Sequence, residues 1–353
     1  MLENLLDTFG DGGVLMIAGA CVGILFGCAA QHSRFCLRAA TAEVAEGRFA
    51  QKLSIWLVAF LAALFLVQSS LAAGWLDVSD ARQLAATGSL SGAIIGGGLF
   101  GVGMILARGC ASRLLVLSAT GNLRAIITGL VLTLVAQASL RGVLSPARES
   151  LSQLWLVDGG PARSMLVQLG WSPLFAAICA GVGLVIALMF ARRSGQAGSR
   201  VLAAAMVGGA VWLGWMMTFA ISQTSFDVVA VSSVTFTGPS TDTLMGLVNS
   251  TDLPLGFGVG LVPGVFVGAA VMALLSGEWR IQRFGPDTPM ERYLLGAVLM
   301  GFGSMLAGGC AVGAGMSGGS ILALTAWVAV FSMWIGAMLT HRILQSVQRS
   351  VHV

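Results

Sequence analysis

Residues 96–111 read GGGLFGVGMILARGCA, and residues 296–311 read GAVLMGFGSMLAGGCA. Aligned end to end, the two stretches share glycines at 96/296, 101/301, 103/303 and 109/309, and each closes on Gly-Cys-Ala. Glycine at such spacing in an apolar run lets helices pack backbone against backbone. A glycine break followed by a thiol does not belong in the middle of a plain span. One such break is a local oddity; two in register are a repeat, and the rest of the chain is read around it.

Composition sets the class. Of 353 residues, 56% are hydrophobic and only 10% charged, with a mean hydropathy of +0.89, where soluble domains carry about 25% charged residues. The 48 glycines are roughly twice the usual share. The chain is expected to be an all-α polytopic membrane protein. The formal charge of +4 is almost all arginine scattered through loops, so no basic face exists for nucleic acid. Glu3, Asp7 and Asp11 stand where a cleavable leader needs positive charge, so no cleaved signal is expected.

Apolar windows place spans near 13–31, 53–76, 91–107, 123–140, 172–191, 201–221, 255–275, 293–308 and 320–341. Lys and Arg favour the cytoplasmic side. Arg34, Arg38, Arg48 and Lys52 follow the first span, Arg192, Arg193 and Arg200 the fifth, Arg280, Arg283 and Arg292 the seventh, and Arg342 and Arg349 the last. The opposite loops hold Asp77, Asp80, Asp227, Asp242 and Asp252, with Arg141, Arg148 and Arg163 as the exceptions. The expected topology has the N-terminus outside, the C-terminus cytoplasmic and nine crossings of a bacterial inner membrane.

A second recurrence joins GACVGILFGCAAQHSRFC (19–36) to AVWLGWMMTFAISQTSF (210–226), which share Gln-x-Ser at Gln31/Ser33 and Gln223/Ser225. Both motifs reverse direction between the halves. The expectation is two inverted-topology repeats, 1–171 and 201–353, joined by a connecting helix and loop over 172–200. Broken or re-entrant helices would meet at the midplane, where such repeats place their pathway. Arg108-Gly109, Gly308-Gly309 and GAGMSGG (313–319) are the expected breaks.

Six cysteines stand at 21, 28, 36, 110, 179 and 310. Cys21, Cys28 and Cys179 lie in plain apolar runs and read as packing. No metal-ligand spacing occurs, so no metal site and no cofactor are expected. Cys36, Cys110 and Cys310 sit at a helix break or exit beside polar or cationic residues. Arg108 and Arg113 flank Cys110, and an arginine in a span marks a substrate route more often than an anchor; Arg34 and Arg38 also serve the inside-positive bias. A guanidinium grips oxyanions, so the ligand class is a small anion.

At Gln31-x-Ser33-x-Phe35-Cys36, Gly109-Cys110-Ala111-Ser112 and Gly308-Gly309-Cys310, followed by Gly313, Gly315, Ser317 and Gly318, the chain resembles the YeeE/YedE sulfur-transport membrane proteins over nearly its whole length. The resemblance implies an hourglass of two inverted halves and import of thiosulfate. It also implies a relay in which Cys36, Cys110 and Cys310 pass the anion by transient thiol contact, and a small soluble sulfur-carrier protein as cytoplasmic partner. Two departures stand out: Arg113 and LLVLSATGN follow Cys110 where glycines are expected, and Ala311 and Ala314 replace the usual Asn and His. A related sulfur or selenium anion fits these residues equally.

The substrate-binding residues expected are Cys36, Cys110, Cys310, Gln31, Ser33, Arg108, Arg113, Gln223, Ser225 and Ser317. The protein is expected not to be an enzyme. The alternative is a membrane-embedded sulfurtransferase or thiol oxidoreductase working through a cysteine persulfide, which calls for an activated thiolate and an acceptor. A scaffold subunit would explain the helices but not the repeated Gly-Cys breaks. No acidic residue in a span offers proton coupling.

Overall fold

The computed structural model describes residues 2–249, 254–283 and 289–351; Asp252 and His352 lie outside the described residues. The helices, in order, are α1 (Leu2–Ser33), α2 (Leu37–Ala45), α3 (Gln51–Ala72), α4 (Arg82–Ala85), α5 (Leu90–Leu106), α6 (Ala111–Ala119), α7 (Leu123–Arg141), α8 (Ser145–Ser152), α9 (Met165–Leu169), α10 (Pro173–Arg193), α11 (Gly198–Thr224), α12 (Thr237–Asn249), α13 (Phe257–Leu275), α14 (Met290–Leu306) and α15 (Leu324–Val351), with a π-helical turn at Gly313–Gly318 before the last. Gly88–Ser89 and Leu156–Val157 form one small antiparallel ladder. Eight helical stretches among the described residues are long and apolar enough to cross a membrane; two of them join α1 to α2 and α5 to α6. The ninth expected span, 293–308, is α14, whose 17 residues reach about 25 Å. The last span begins at Leu324 rather than 320, because the chain is still turning through Leu322, at φ +54°.

Backbone contact explains the glycines. Along α1, a Cβ on Gly19, Gly23 or Gly27 would lie 2.0–2.4 Å from the carbonyl oxygens of Phe257, Leu261 and Val265. From the other side, Gly260, Gly264 and Gly268 press on Met16, Ala20 and Ile24. The two helices are therefore parallel and in backbone contact over three turns. Between α5 and α14, Gly96 faces Gly303 and Gly103 faces Gly296, each pair reciprocally, with Cβ-to-oxygen separations of 2.6–2.7 Å. The two matching segments meet here in an antiparallel, self-complementary contact, as a two-fold axis between inverted repeats would give.

The rest of the packing follows the same exchange. α1 on α13 is answered by α11 on α3, and α5 on α15 by α14 on α7. The short α6 lies on α7 and α13 as the 313–318 turn lies on α15 and α3, and α2 lies on α3 and α15 as α12 lies on α13 and α7. α10 stands outside the scheme, packed on α3. This pattern fits two repeats of opposite orientation.

One segment has no counterpart in the sequence reading, which leaves 222–254 as an outer loop. The chain instead turns back into the protein: Val231, Ser233, Val234 and Phe236 are buried in non-helical backbone ahead of α12. Such backbone needs partners. Thr218 Oγ1 accepts from Ser232 N–H (3.1 Å) and donates to its carbonyl (2.6 Å), Ser233 Oγ donates to Val211 O (2.5 Å), and Ser317 Oγ donates to Val234 O (2.6 Å).

Candidate functional site at the helix breaks

Three helices end in the same way. At the ends of α1, α5 and α14 a left-handed residue, Arg34 (φ +56°), Arg108 (+55°) or Gly308 (+76°), turns the chain. The next N–H then bonds back to the carbonyl five residues earlier: Phe35 to Ala30 (3.2 Å), Gly109 to Met104 (3.1 Å) and Gly309 to Ser304 (2.9 Å). This is a Schellman closure. Two residues after each left-handed position stands a cysteine, Cys36, Cys110 or Cys310, whose carbonyl starts the next helical stretch by accepting from Ala40 (3.2 Å), Leu114 (2.8 Å) and Ala314 (2.8 Å). Each thiol thus sits at the positive end of a short helical segment.

Cys110 and Cys310 are buried and Cys36 half-buried. Both Cys36 and Cys310 lie within electrostatic reach of Cys110, so the three elbows converge. Cys110 Sγ lies 3.3 Å from Ser112 Oγ, and Cys310 Sγ accepts from Gly313 N–H at 3.4 Å. Thr235, on the buried segment before α12, packs its hydroxyl against Gly313.

Cations flank the cluster on both sides. On the side of Cys36, Arg113 lies within electrostatic reach of Cys36, Cys110, Arg34 and Glu278, and Arg292 within reach of Arg108 and Arg38. Among the described residues, Glu278 is the carboxylate that pairs with this group. Arg34 Nη2 donates to its Oε1 (2.7 Å) and Gln31 Nε2 to its Oε2 (2.9 Å), and the hydrogen bond from Arg34 holds the Glu278 carboxyl below the usual carboxylate range. On the side of Gly308, a cavity of about 170 Å³ is lined by Arg82, Gln83, Ser89, Arg163, Gly308, Gly313 and Thr325, among others. Arg163 is buried there, donating to the carbonyls of Arg82 (3.2 Å) and Ala86 (2.5 Å) and to Thr325 Oγ1 (2.6 Å).

The model of the family described as sulphur transport matches residues 32–339, which include all three elbows. The chain belongs to the sulphur-transport family. It is 28% identical over 337 residues to a protein named thiosulfate transporter TsuA from Spirochaeta thermophila, covering 90% of this chain and 96% of that one. It is 25% identical over 349 residues to one of the same name from Escherichia coli, covering 91% and 92%.

Within this family member, the structure brings Cys36, Cys110, Cys310, Gln31 and Arg113 together. Gln31 is 5% exposed; its amide donates to Glu278 and its carbonyl faces Arg113 Nη1 at 3.5 Å. Ser33 and Ser317 are buried, and their hydroxyls serve backbone, Ser33 donating to Ala29 O (2.7 Å) and Ser317 to Val234 O. Arg108 is exposed at the turn. Gln223 and Ser225 part from the rest: Gln223 is exposed at the end of α11, and Ser225 pairs with Asp227 at the surface. The physical reason is the connection that follows. α1 reaches its short helix in three residues, whereas α11 needs the twelve residues 225–236, so the fourth break lies far along the chain from Gln-x-Ser.

Sequence reasoning missed Glu278, Arg82 and Thr235. Glu278 sits in a loop and Arg82 opens the one-turn helix α4, places where charge is ordinary, and the Ser/Thr-rich run 232–240 was the only signal for the buried segment before α12. Cys28 Sγ donates to Gly268 O at 3.1 Å across the α1–α13 contact, while Cys21 and Cys179 face outward. Among the described residues no group of three His, Cys, Asp or Glu is placed to hold a metal ion.

Proposed function

We propose that this protein carries thiosulfate across the bacterial inner membrane, entering at the Arg82–Arg163 cavity, passing Cys310, Cys110 and Cys36 in turn, and leaving past Arg113 and Arg34. The observation that supports this reading is the elbow built three times, with Cys36 and Cys310 within electrostatic reach of the buried Cys110 and arginines on either side; the relatives' names supply the anion. A thiol is a weak, polarizable donor. It replaces part of the anion's hydration without holding it, and weak binding at several sites is what conduction needs. Ser112 and the Gly313 N–H orient two of the sulfurs, while the helix N-termini behind Cys36 and Cys110 add favourable potential for negative charge. The two halves are 1–171 and 201–353 in inverted orientation, with 172–200 as connector. The N-terminus lies outside, so the side of Arg34 and Arg113 faces the cytoplasm, where a small sulfur-carrier protein receives the anion.

The test is uptake of radiolabelled thiosulfate into proteoliposomes. Wild-type protein is expected to fill the vesicles, and Cys110→Ala and Cys310→Ala to remove uptake while eluting as folded protein. Undiminished uptake by both variants would overturn the relay.

A further inference from the structure

The two sides of the thiol cluster differ in one respect. The cavity at Gly308 has arginines in its wall and no carboxylate. The opposite side carries its own anion, Glu278, three residues past α13. Its two oxygens are both engaged, one by Arg34 and the other by Gln31, and Gln31 in turn faces Arg113, a cation within electrostatic reach of Cys36 and Cys110. A chain of contacts therefore runs Arg34–Glu278–Gln31–Arg113 along the edge of the thiol cluster.

Stability does not account for it. The Arg34 and Glu278 side chains are 48% and 38% exposed, and an exposed pair adds little to stability. Nor does the elbow need the pair, since Arg108 takes the same left-handed conformation without such a partner among the described residues. What the arrangement does achieve is electrostatic. A passing divalent anion is attracted to Arg34 and Arg113, and two unopposed guanidiniums beside a desolvated site would hold it.

We infer that Glu278 is a tethered competitor for the transported anion: it occupies Arg34 and offsets the charge of Arg113, and must be displaced from Arg34, so that anion affinity falls from the Arg82–Arg163 cavity to this side. The inference rests on the transport reading above and assigns Glu278 as the residue that sets release.

Equilibrium binding and uptake by Glu278→Gln test it. The amide keeps the shape and the bond to Gln31 but removes the charge. Glu278→Gln is expected to bind thiosulfate about tenfold tighter than wild type, and to show KM and the maximal uptake rate falling together, as for a trapped ligand. Arg34→Ala combined with Glu278→Gln removes the trap as well and is expected to restore affinity to within about threefold of wild type. Unchanged or weaker binding by Glu278→Gln overturns the inference, as does a slower rate at unchanged KM that the double variant does not rescue. If Glu278→Gln fails to fold, Arg34→Ala alone decides: weaker binding supports the competitor, and unchanged binding refutes it. Wild-type uptake separates the two readings. Vesicles that exclude thiosulfate refute the substrate, and the ratio of sulfate affinities between Glu278→Gln and wild type then still judges the competitor.

Discussion

A methyl group added at Gly260 puts the fold and the site on trial together. Its Cβ would lie 1.8 Å from Met16 O, 2.7 Å from Met16 C and 2.9 Å from Ala20 N, all backbone atoms that no rotamer change can move. The α1–α13 pair must separate by more than 1 Å to relieve the contact, since non-bonded heavy atoms come to rest at about 3.5–4 Å. Such overpacking costs about 1–3 kcal/mol, and the upper end is expected because this is the tightest of the three contacts and the next two, at Gly264 (2.5 Å) and Gly268 (2.3 Å), also hold the helices close. Gly209→Ala is the matched control: it lies on α11 with nothing within 4 Å, so it is expected to gain roughly 0.5–1 kcal/mol from reduced backbone entropy. The assay is unfolding of the purified protein in mixed micelles by increasing SDS, with uptake measured on the same preparations. Separation also pulls Gln31, near the end of α1, away from Glu278, just past α13, so transport is expected to fall along with stability. Wild-type stability in Gly260→Ala, or equal damage in Gly209→Ala, would refute the claim that backbone contact holds these helices.

Arg108→Gly is expected to raise stability by about 1 kcal/mol, because Gly308 shows that the elbow accepts glycine and the left-handed strain is removed. Uptake is nevertheless expected to drop several-fold if Arg108 guides the anion, and unchanged uptake would reject that role. Ser317→Ala removes the hydrogen bond to Val234 O and is expected to cost about 1–3 kcal/mol by leaving a buried carbonyl unpaired; faster hydrogen exchange over residues 231–236 is the readout. Glu46 supplies a pH dependence. Its hydrogen bond with His341, and then that with Arg48, holds its carboxyl below the usual range, so its folded pKa lies under the unfolded value of about 4.3. The contribution is present above that pH and is lost as pH falls through the folded value. Melting curves of wild type and Glu46→Gln should therefore differ at pH 6 and converge at the acid end, by less than about 1 kcal/mol because the Arg48 partner is exposed.

The amino-acid order alone determined the class, most of the spans and the glycine faces on which α5 and α14 meet. Hydropathy over a window of about 20 residues is a local property, and the glycines at 96/296, 101/301 and 103/303 mark faces that touch wherever the helices are brought together. The Gly-Cys breaks were legible for the same reason, since a left-handed elbow is a feature of a few consecutive residues, and Cys36, Cys110 and Cys310 could be singled out from their neighbours. A meeting of the breaks could be expected from the repeat and the family resemblance, but its partners were not legible. That Cys36 and Cys310 both come close to Cys110, that Gln31 bridges Glu278 and Arg113 from 247 and 82 residues away, and that the buried stretch before α12 takes its partners from Thr218 and Ser317 depend on how helices distant in sequence cross. Gln223 and Ser225 show the converse, where a matching motif is carried to the surface by a longer connection. Charge in a loop has no meaning until its neighbours in space are known, so Arg163 read as an exception to the loop count and became a buried wall of a cavity only once the chain had folded around it.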